Sequence, residues 1–285
     1  MLSRRLLIVT ATYERPGRLE YISRVSDSLR GVPDLLWIVA EDDNQLNKNV
    51  GRFLKKSQIC YSYLAAGKTR DMGNTPKSKA FEYIVQSQLL GVVYVADDDN
   101  YYDRRLWGEV RKTGKVMVFP VGNLGPDGIE RPVVENGKIV EWRANWKSRK
   151  YPLDWAGFSF SSALLPSLRQ PFLGRKMTQS ENSADQSIFL KCDVQERKRL
   201  LAEYYEGESE FIEKLIDSPD ELEIGCDQCT SCMVWYNQPL IDPSSLRKGR
   251  WRGRICTLSG SIFLNNLASL KQVFTKLYDR VGPPI

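Results

Sequence analysis

The chain has 285 residues, 42% of them apolar and 27% charged, and a net charge of +6. That length can bury a substantial core in one large domain or two small ones, and no apolar run approaches the roughly 20 residues that span a bilayer. Histidine is absent, which excludes Ser-His-Asp and Cys-His catalysis and His-based zinc sites and leaves acid–base chemistry to carboxylates, Lys, Tyr or Cys.

The opening "MLSRRLLIVT" shows no signal-peptide pattern and runs straight into a strand over Leu6–Thr10. By itself this fits a cytosolic chain or one separated from its targeting segment. Leu19, Ile22, Val25 and Leu29 recur at helical spacing. Leu35–Ala40 is a second strand, ending in "EDDN", and Cys60–Leu64 a short third. Lys79–Leu90 is expected to be helical, Val92–Ala96 to be a strand, Leu106 and Val110 to lie on a helix, and Val116–Val121 to form one further strand. Strands alternating with helices predict an α/β fold with a mostly parallel central sheet covered on both faces.

After Gly122 the texture changes. "NLGPDGIERPVVENGKIVEW" reads as turns and a hairpin, with Asn136-Gly137 as the turn. Trp142, Trp146, Tyr151 and Trp155 crowd into a short stretch. Glu203–Asp217 is acidic and is expected to be a solvated helix, and Thr230–Tyr236 a late strand. Ile262, Phe263, Leu267, Leu270, Phe274 and Leu277 fit an amphipathic helix behind the basic "RKGRWRGR". The organisation expected is therefore 1–121, 122–243 and a basic tail, 244–285. That tail carries eight Lys/Arg against Asp279 alone, so it is +7 and the rest of the chain −1. The basic balance belongs to the tail, which argues against nucleic-acid binding by the whole protein. A packed helix at a dimer interface or a contact with anionic membrane or glycan are its two readings. "CDQCTSC" places Cys226, Cys229 and Cys232 at three-residue spacing. It lacks the second matched pair of a structural zinc site, so free thiols or a disulfide are expected.

In a doubly covered parallel sheet, ligands collect at the carboxyl ends of the strands. "TATYERP", "EDDN" and "DDDN" all fall there. Asp97, Asp98 and Asp99 are adjacent like charges, costly unless something positive sits on them. Hard oxygen ligands suit Mg²⁺ or Mn²⁺, which in turn binds diphosphate. A solvated acidic loop or helix cap is the alternative. The aromatic cluster could stack on sugar faces or fill a core.

"GVVYVADDDNYY", "VMVFPVG", "NWKSRKYPLDWAGFSFS" and "CTSCMVW" together resemble the animal β-1,3-glucuronyltransferases, a family that includes plant relatives acting in xylan synthesis. The resemblance covers roughly residues 6–238. It implies a GT-A nucleotide-diphospho-sugar transferase fold and an inverting, Mn²⁺-dependent transfer (Mg²⁺ being the other candidate ion) from a UDP-sugar to a glycan acceptor. It also implies a homodimer and a type II protein of the Golgi lumen whose anchor lies outside this chain. By this resemblance Thr12, Tyr13 and Arg15 face the nucleotide, with Tyr13 stacked on uracil, and Asp42 bonds the base. Asp97 and Asp98 contact ribose and donor sugar, and Asp99 holds the metal. Lys77 stands where the family has an arginine, and Arg70 lies near the place of another. Glu130, Trp146, Arg149 and Asp154 match acceptor positions. The catalytic base falls on Asp185 in "ENSADQSIFL", with Glu181 as the alternative. The family's "VWHTR" is here "VWYNQ", which puts Tyr236 and Gln238 where a His and an Arg would reach the donor. Losing a bidentate partner for a sugar carboxylate leaves two donors open: UDP-glucuronate or a neutral sugar such as UDP-xylose. A non-catalytic partner subunit is the third reading.

Overall fold

A computed structural model describes residues 4–69, 71, 73–168, 172–173 and 207–236. In chain order the elements are β1 (Leu6–Thr12), α1 (Arg18–Leu29), β2 (Leu35–Glu41), α2 (Lys48–Lys56), β3 (Tyr61–Ala65), α3 (Asn74–Gln86), β4 (Val92–Val95), β5 (Asn100–Tyr102), α4 (Leu106–Val110), β6 (Val116–Val118), β7 (Val121–Gly122), β8 (Ile129–Glu135), β9 (Lys138–Arg143), β10 (Phe158–Ser161), α5 (Glu208–Leu215), β11 (Leu222–Ile224) and β12 (Val234–Tyr236).

Among the described residues the strands form two sheets. The larger runs β11-β6-β10-β4-β1-β2-β3. All its pairings are parallel except those of β10, which is antiparallel to both neighbours. Its strands are apolar almost throughout because both faces are covered. On one face Leu7, Val9, Ile38, Ala40, Val93 and Val95 pack with Ala80, Phe81 and Ile84 of α3 and Phe211, Ile212 and Leu215 of α5. On the other, Leu6, Ile8, Trp37, Val39, Val92 and Tyr94 meet Ile22, Val25 and Leu29 of α1, Val50 and Leu54 of α2, and Leu106, Trp107 and Val110 of α4. The alternation follows the two-residue period of a strand.

The second sheet, β5-β12-β7-β8-β9, was not foreseen. It corrects one expectation, because Val116–Val121 is two strands and not one. Pro120 has no N–H to donate to a ladder, and the chain crosses there from the large sheet to the small one. The predicted hairpin is present as β8–β9, with Asn136 and Gly137 both at positive φ (52° and 75°), as a tight primed turn requires. A second correction concerns the acidic segment. Its described part, α5, is not a solvated helix: Ser209, Phe211, Ile212 and Leu215 are buried, and only Glu213 and Lys214 are exposed. Phe81 of α3 stacks on Phe211 at 5.3 Å, which fixes α5 against the large sheet.

Cys226–Cys229 form a left-handed turn, each residue near φ +50 to +57°. Cys226 and Cys229 are free thiols, and burial pushes both up to about 12. No helix among the described residues is long and apolar enough to cross a membrane. The tail, 244–285, and the amphipathic helix expected in it lie outside the described residues.

Candidate active site

The parallel register sets Thr12 beside Glu41, and Val9 beside Val95. The carboxyl ends of β1, β2 and β4 therefore lie side by side. Asp42, one residue past β2, donates its backbone N–H to Thr12 O at 2.8 Å. Its Oδ1 accepts from the N–H and hydroxyl of Thr69, at 2.8 and 3.0 Å.

The aspartate run begins two residues past β4, and its three carboxylates are not equivalent. Asp98 is buried. Its Oδ1 accepts from Arg15 Nη2 at 2.5 Å and its Oδ2 from Thr12 Oγ1 at 3.1 Å. Burial raises its carboxyl to about 7 against the opposing pull of Arg15. Asp97 pairs with Lys77 Nζ at 3.1 Å. Lys77 is only 3% exposed and also lies over the Trp155 ring at 5.5 Å. Burial alone would depress its ammonium, but Asp97, with Glu208 and Asp154 beyond, holds it above its ordinary value. Asp99 makes no ion pair among the described residues, although the charges of Arg15 and Lys77 reach it. Burial, then the Asp97 charge, raises its carboxyl. The described residues hold no cluster of three or more metal-ligating side chains.

Tyr13 is 48% exposed at the rim, with the Arg15 guanidinium 4.6 Å from its ring centre. Tyr236 comes into the site through β12, which pairs antiparallel with β5 so that Tyr236 lies opposite Asn100. Burial, then the charges of Asp99, Asp154 and Asp97, raises its phenol.

The other wall comes from β8 and the segment before β10. Glu130, buried on β8, accepts from the Asp154 backbone N–H at 2.6 Å. Asp154 caps a short 3-10 turn through Ala156 N at 2.9 Å. Burial raises Glu130 to about 7 and puts Asp154 well above the carboxylate range, with Glu208 and Asp97 adding to the latter. Trp146 is exposed, and Arg149 lies over its ring at 4.8 Å. Trp155, by contrast, belongs to the core.

Sequence reasoning missed one acid. Glu208, the first residue of α5, accepts from Arg149 Nη1 at 2.8 Å with both side chains about four-fifths buried. Its charge is felt by Lys77, Asp154 and Glu130, so it stands at the junction of the two walls. A signal existed: "ESEFIEKL" is a Glu followed by a Ser and an apolar helical stripe. Asp185 and Glu181, with Arg70 and Gln238, lie outside the described residues.

The sequence model of glycosyltransferase family 43 matches residues 25–239. Galactosylgalactosylxylosylprotein 3-beta-glucuronosyltransferase P of Drosophila melanogaster is 31% identical over 247 residues, which cover 82% of this chain and 45% of that protein. Galactosylgalactosylxylosylprotein 3-beta-glucuronosyltransferase 2 of Homo sapiens is 30% identical over 243 residues, covering 81% of this chain and 68% of that protein. This chain therefore spans under half the length of the fly relative. Among solved structures, S. aureus TarS 1-349 gives a TM-score of 0.46 at 12% identity over 82% of this chain and 60% of that one, too distant to bear on the site.

Proposed function

The chain belongs to glycosyltransferase family 43, and we propose that it moves a sugar from a UDP-sugar to a glycan hydroxyl, inverting the anomeric centre to leave a β-linkage. The observation that carries this reading is the division of labour at the end of β4. Asp97 and Asp98 each form an ion pair with a cation of the chain, and Asp99 forms none among the described residues. Asp99 would hold a divalent ion, which would supply positive charge to a departing diphosphate. Thr12, Tyr13, Arg15 and Asp42 line the nucleotide end, with Asp97 and Asp98 facing ribose and sugar. Lys77 adds a buried positive charge to the donor side.

Glu130, Trp146, Arg149 and Asp154 form the acceptor wall. Trp146 offers an exposed ring to a sugar face. An inverting transfer needs one base beside the acceptor hydroxyl. We assign it to Glu208 in preference to Asp185. Glu208 stands between the donor-side Lys77–Asp97 pair and the acceptor wall, and Arg149 holds it in place at 2.8 Å.

The donor suggested by the names of the relatives is UDP-glucuronate. One observation favours a neutral sugar such as UDP-xylose. Arg15, Lys77 and Arg149 are each already paired with an acid, and Tyr236 lies in a field of aspartates. A sugar carboxylate entering there would meet like charge. The Golgi lumen, as a type II protein, is the compartment that suits this chemistry.

The test is turnover by the purified chain with Mn²⁺ across a panel of UDP-sugars. Release of UDP from at least one donor is expected, together with its loss in Glu208→Gln and its survival in Asp185→Asn. Full activity in Glu208→Gln would remove the base assignment. No turnover with any donor, despite UDP binding, would favour a non-catalytic partner subunit.

A further inference from the structure

The loop that carries Arg15 is backed by a ladder of alternating rings and guanidinium groups. Arg15 Cζ lies 4.6 Å from the Tyr13 ring centre and 4.7 Å from that of Tyr21, so the group is held between two rings. Arg24 continues the series, 5.3 Å from Tyr21 and 4.9 Å from Tyr101. The two rings holding Arg15 differ in anchorage. Tyr13 is half-exposed on a loop and is the ring assigned to the nucleotide base. Tyr21 lies on α1, whose Ile22, Val25 and Leu29 are in the core.

The chain leaves room for this ring. Gly17, just before α1, sits at φ +76°, and a Cβ there would come within 3.3 Å of Tyr21 Cε2. Arg15 Nε is buried with no hydrogen-bond partner. That edge of the guanidinium is therefore placed by stacking and not by a hydrogen bond.

We propose that Tyr21 is a positioning residue for donor binding, a fixed backing that holds the Arg15 guanidinium against Asp98 while the half-exposed Tyr13 engages the base. This rests on the reading of the strand ends as a UDP-sugar site. Tyr21 itself touches no substrate. Its effect passes through Arg15, and it acts on donor affinity and not on the chemical step.

The test is titration of UDP with Mn²⁺ into the native chain, Tyr21→Leu, Tyr21→Phe, Arg15→Met and the Arg15→Met/Tyr21→Leu double variant, with steady-state turnover alongside. Loss of one cation–π face predicts a rise of about five- to tenfold in UDP Kd and donor KM for Tyr21→Leu, with kcat changed by less than about twofold. Tyr21→Phe, which keeps the ring, restores native affinity. In the Arg15→Met background Tyr21→Leu has no further effect, because its route is gone. Unchanged affinity in Tyr21→Leu overturns the proposal. So does a Tyr21→Phe as weak as Tyr21→Leu, or full additivity with Arg15→Met, which would mark a general packing role. A native chain that fails to bind UDP overturns the donor-site reading and this proposal with it, a result distinct from the other three. Should Tyr21→Leu not fold, Tyr21→Met carries the same comparison.

Discussion

Lys77 Nζ lies 3.1 Å from Asp97 Oδ1, with the lysine side chain only 4% exposed and the aspartate 24%. The pair bridges the walls of the site, since Glu208 and Asp154 also act on the same ammonium. Lys77→Met is expected to lower turnover by about 100-fold, the usual cost of deleting a preorganised charge from a reacting centre. Steady-state kinetics with a melting curve would check this. Turnover within a few-fold of native would show that Lys77 only balances Asp97.

Glu208→Gln keeps the Arg149 contact sterically but removes the proton acceptor. A loss in kcat of about 10²- to 10⁴-fold is expected, with UDP affinity retained. Single-turnover kinetics separates the chemical step from binding. A Glu208→Gln variant that loses UDP affinity and keeps kcat would reassign the residue to binding.

Gly122 on β7 is paired with Trp235 of β12, and a Cβ there would fall 2.2 Å from Trp235 Cδ1. Gly122→Ala must therefore push β12 away and carry Tyr236 with it. A destabilisation of about 1–3 kcal/mol is expected by urea unfolding, together with weaker UDP binding. Native stability in Gly122→Ala would contradict the close approach of the two strands.

Stability should fall as pH rises through neutrality. Burial lifts the Glu130 carboxyl from 4.5 to about 7 on folding. The protonated acid thus favours the folded state. Its contribution is full below about pH 4.5 and disappears as pH passes about 7. The integrated effect is roughly 3 kcal/mol. Unfolding free energies of the ligand-free chain at pH 5 and pH 8 would reveal it, and Glu130→Gln should reduce the slope without abolishing it, because burial also raises Asp98 to about 7. An unchanged slope in Glu130→Gln would place the cause elsewhere.

The placement of the aspartates at a strand end was legible because its signal is local. An apolar β run that breaks into Asp97-Asp98-Asp99 announces both a buried strand and a charged end, and neighbouring strands repeat the pattern. The second sheet was not legible, because β12 pairs with β5 and β7 across long stretches of chain that no local period records. Pro120 carried the hint that Val116–Val121 divides, but five β-favouring neighbours outweighed it. Glu208 was hidden by composition. The acids of its segment made α5 look solvated, although Phe211, Ile212 and Leu215 form a stripe that buries against Phe81. Its role emerges only when Arg149, 59 residues away in sequence, comes within hydrogen-bonding reach.

The most direct test of the whole account is calorimetric titration of UDP into the native chain and Asp99→Asn, each with and without Mn²⁺. Binding that requires Mn²⁺ in the native chain and is lost in Asp99→Asn is the predicted result. UDP binding that ignores the metal, or that survives Asp99→Asn with its metal dependence intact, would contradict the assignment of the strand-end aspartates on which the proposed function rests.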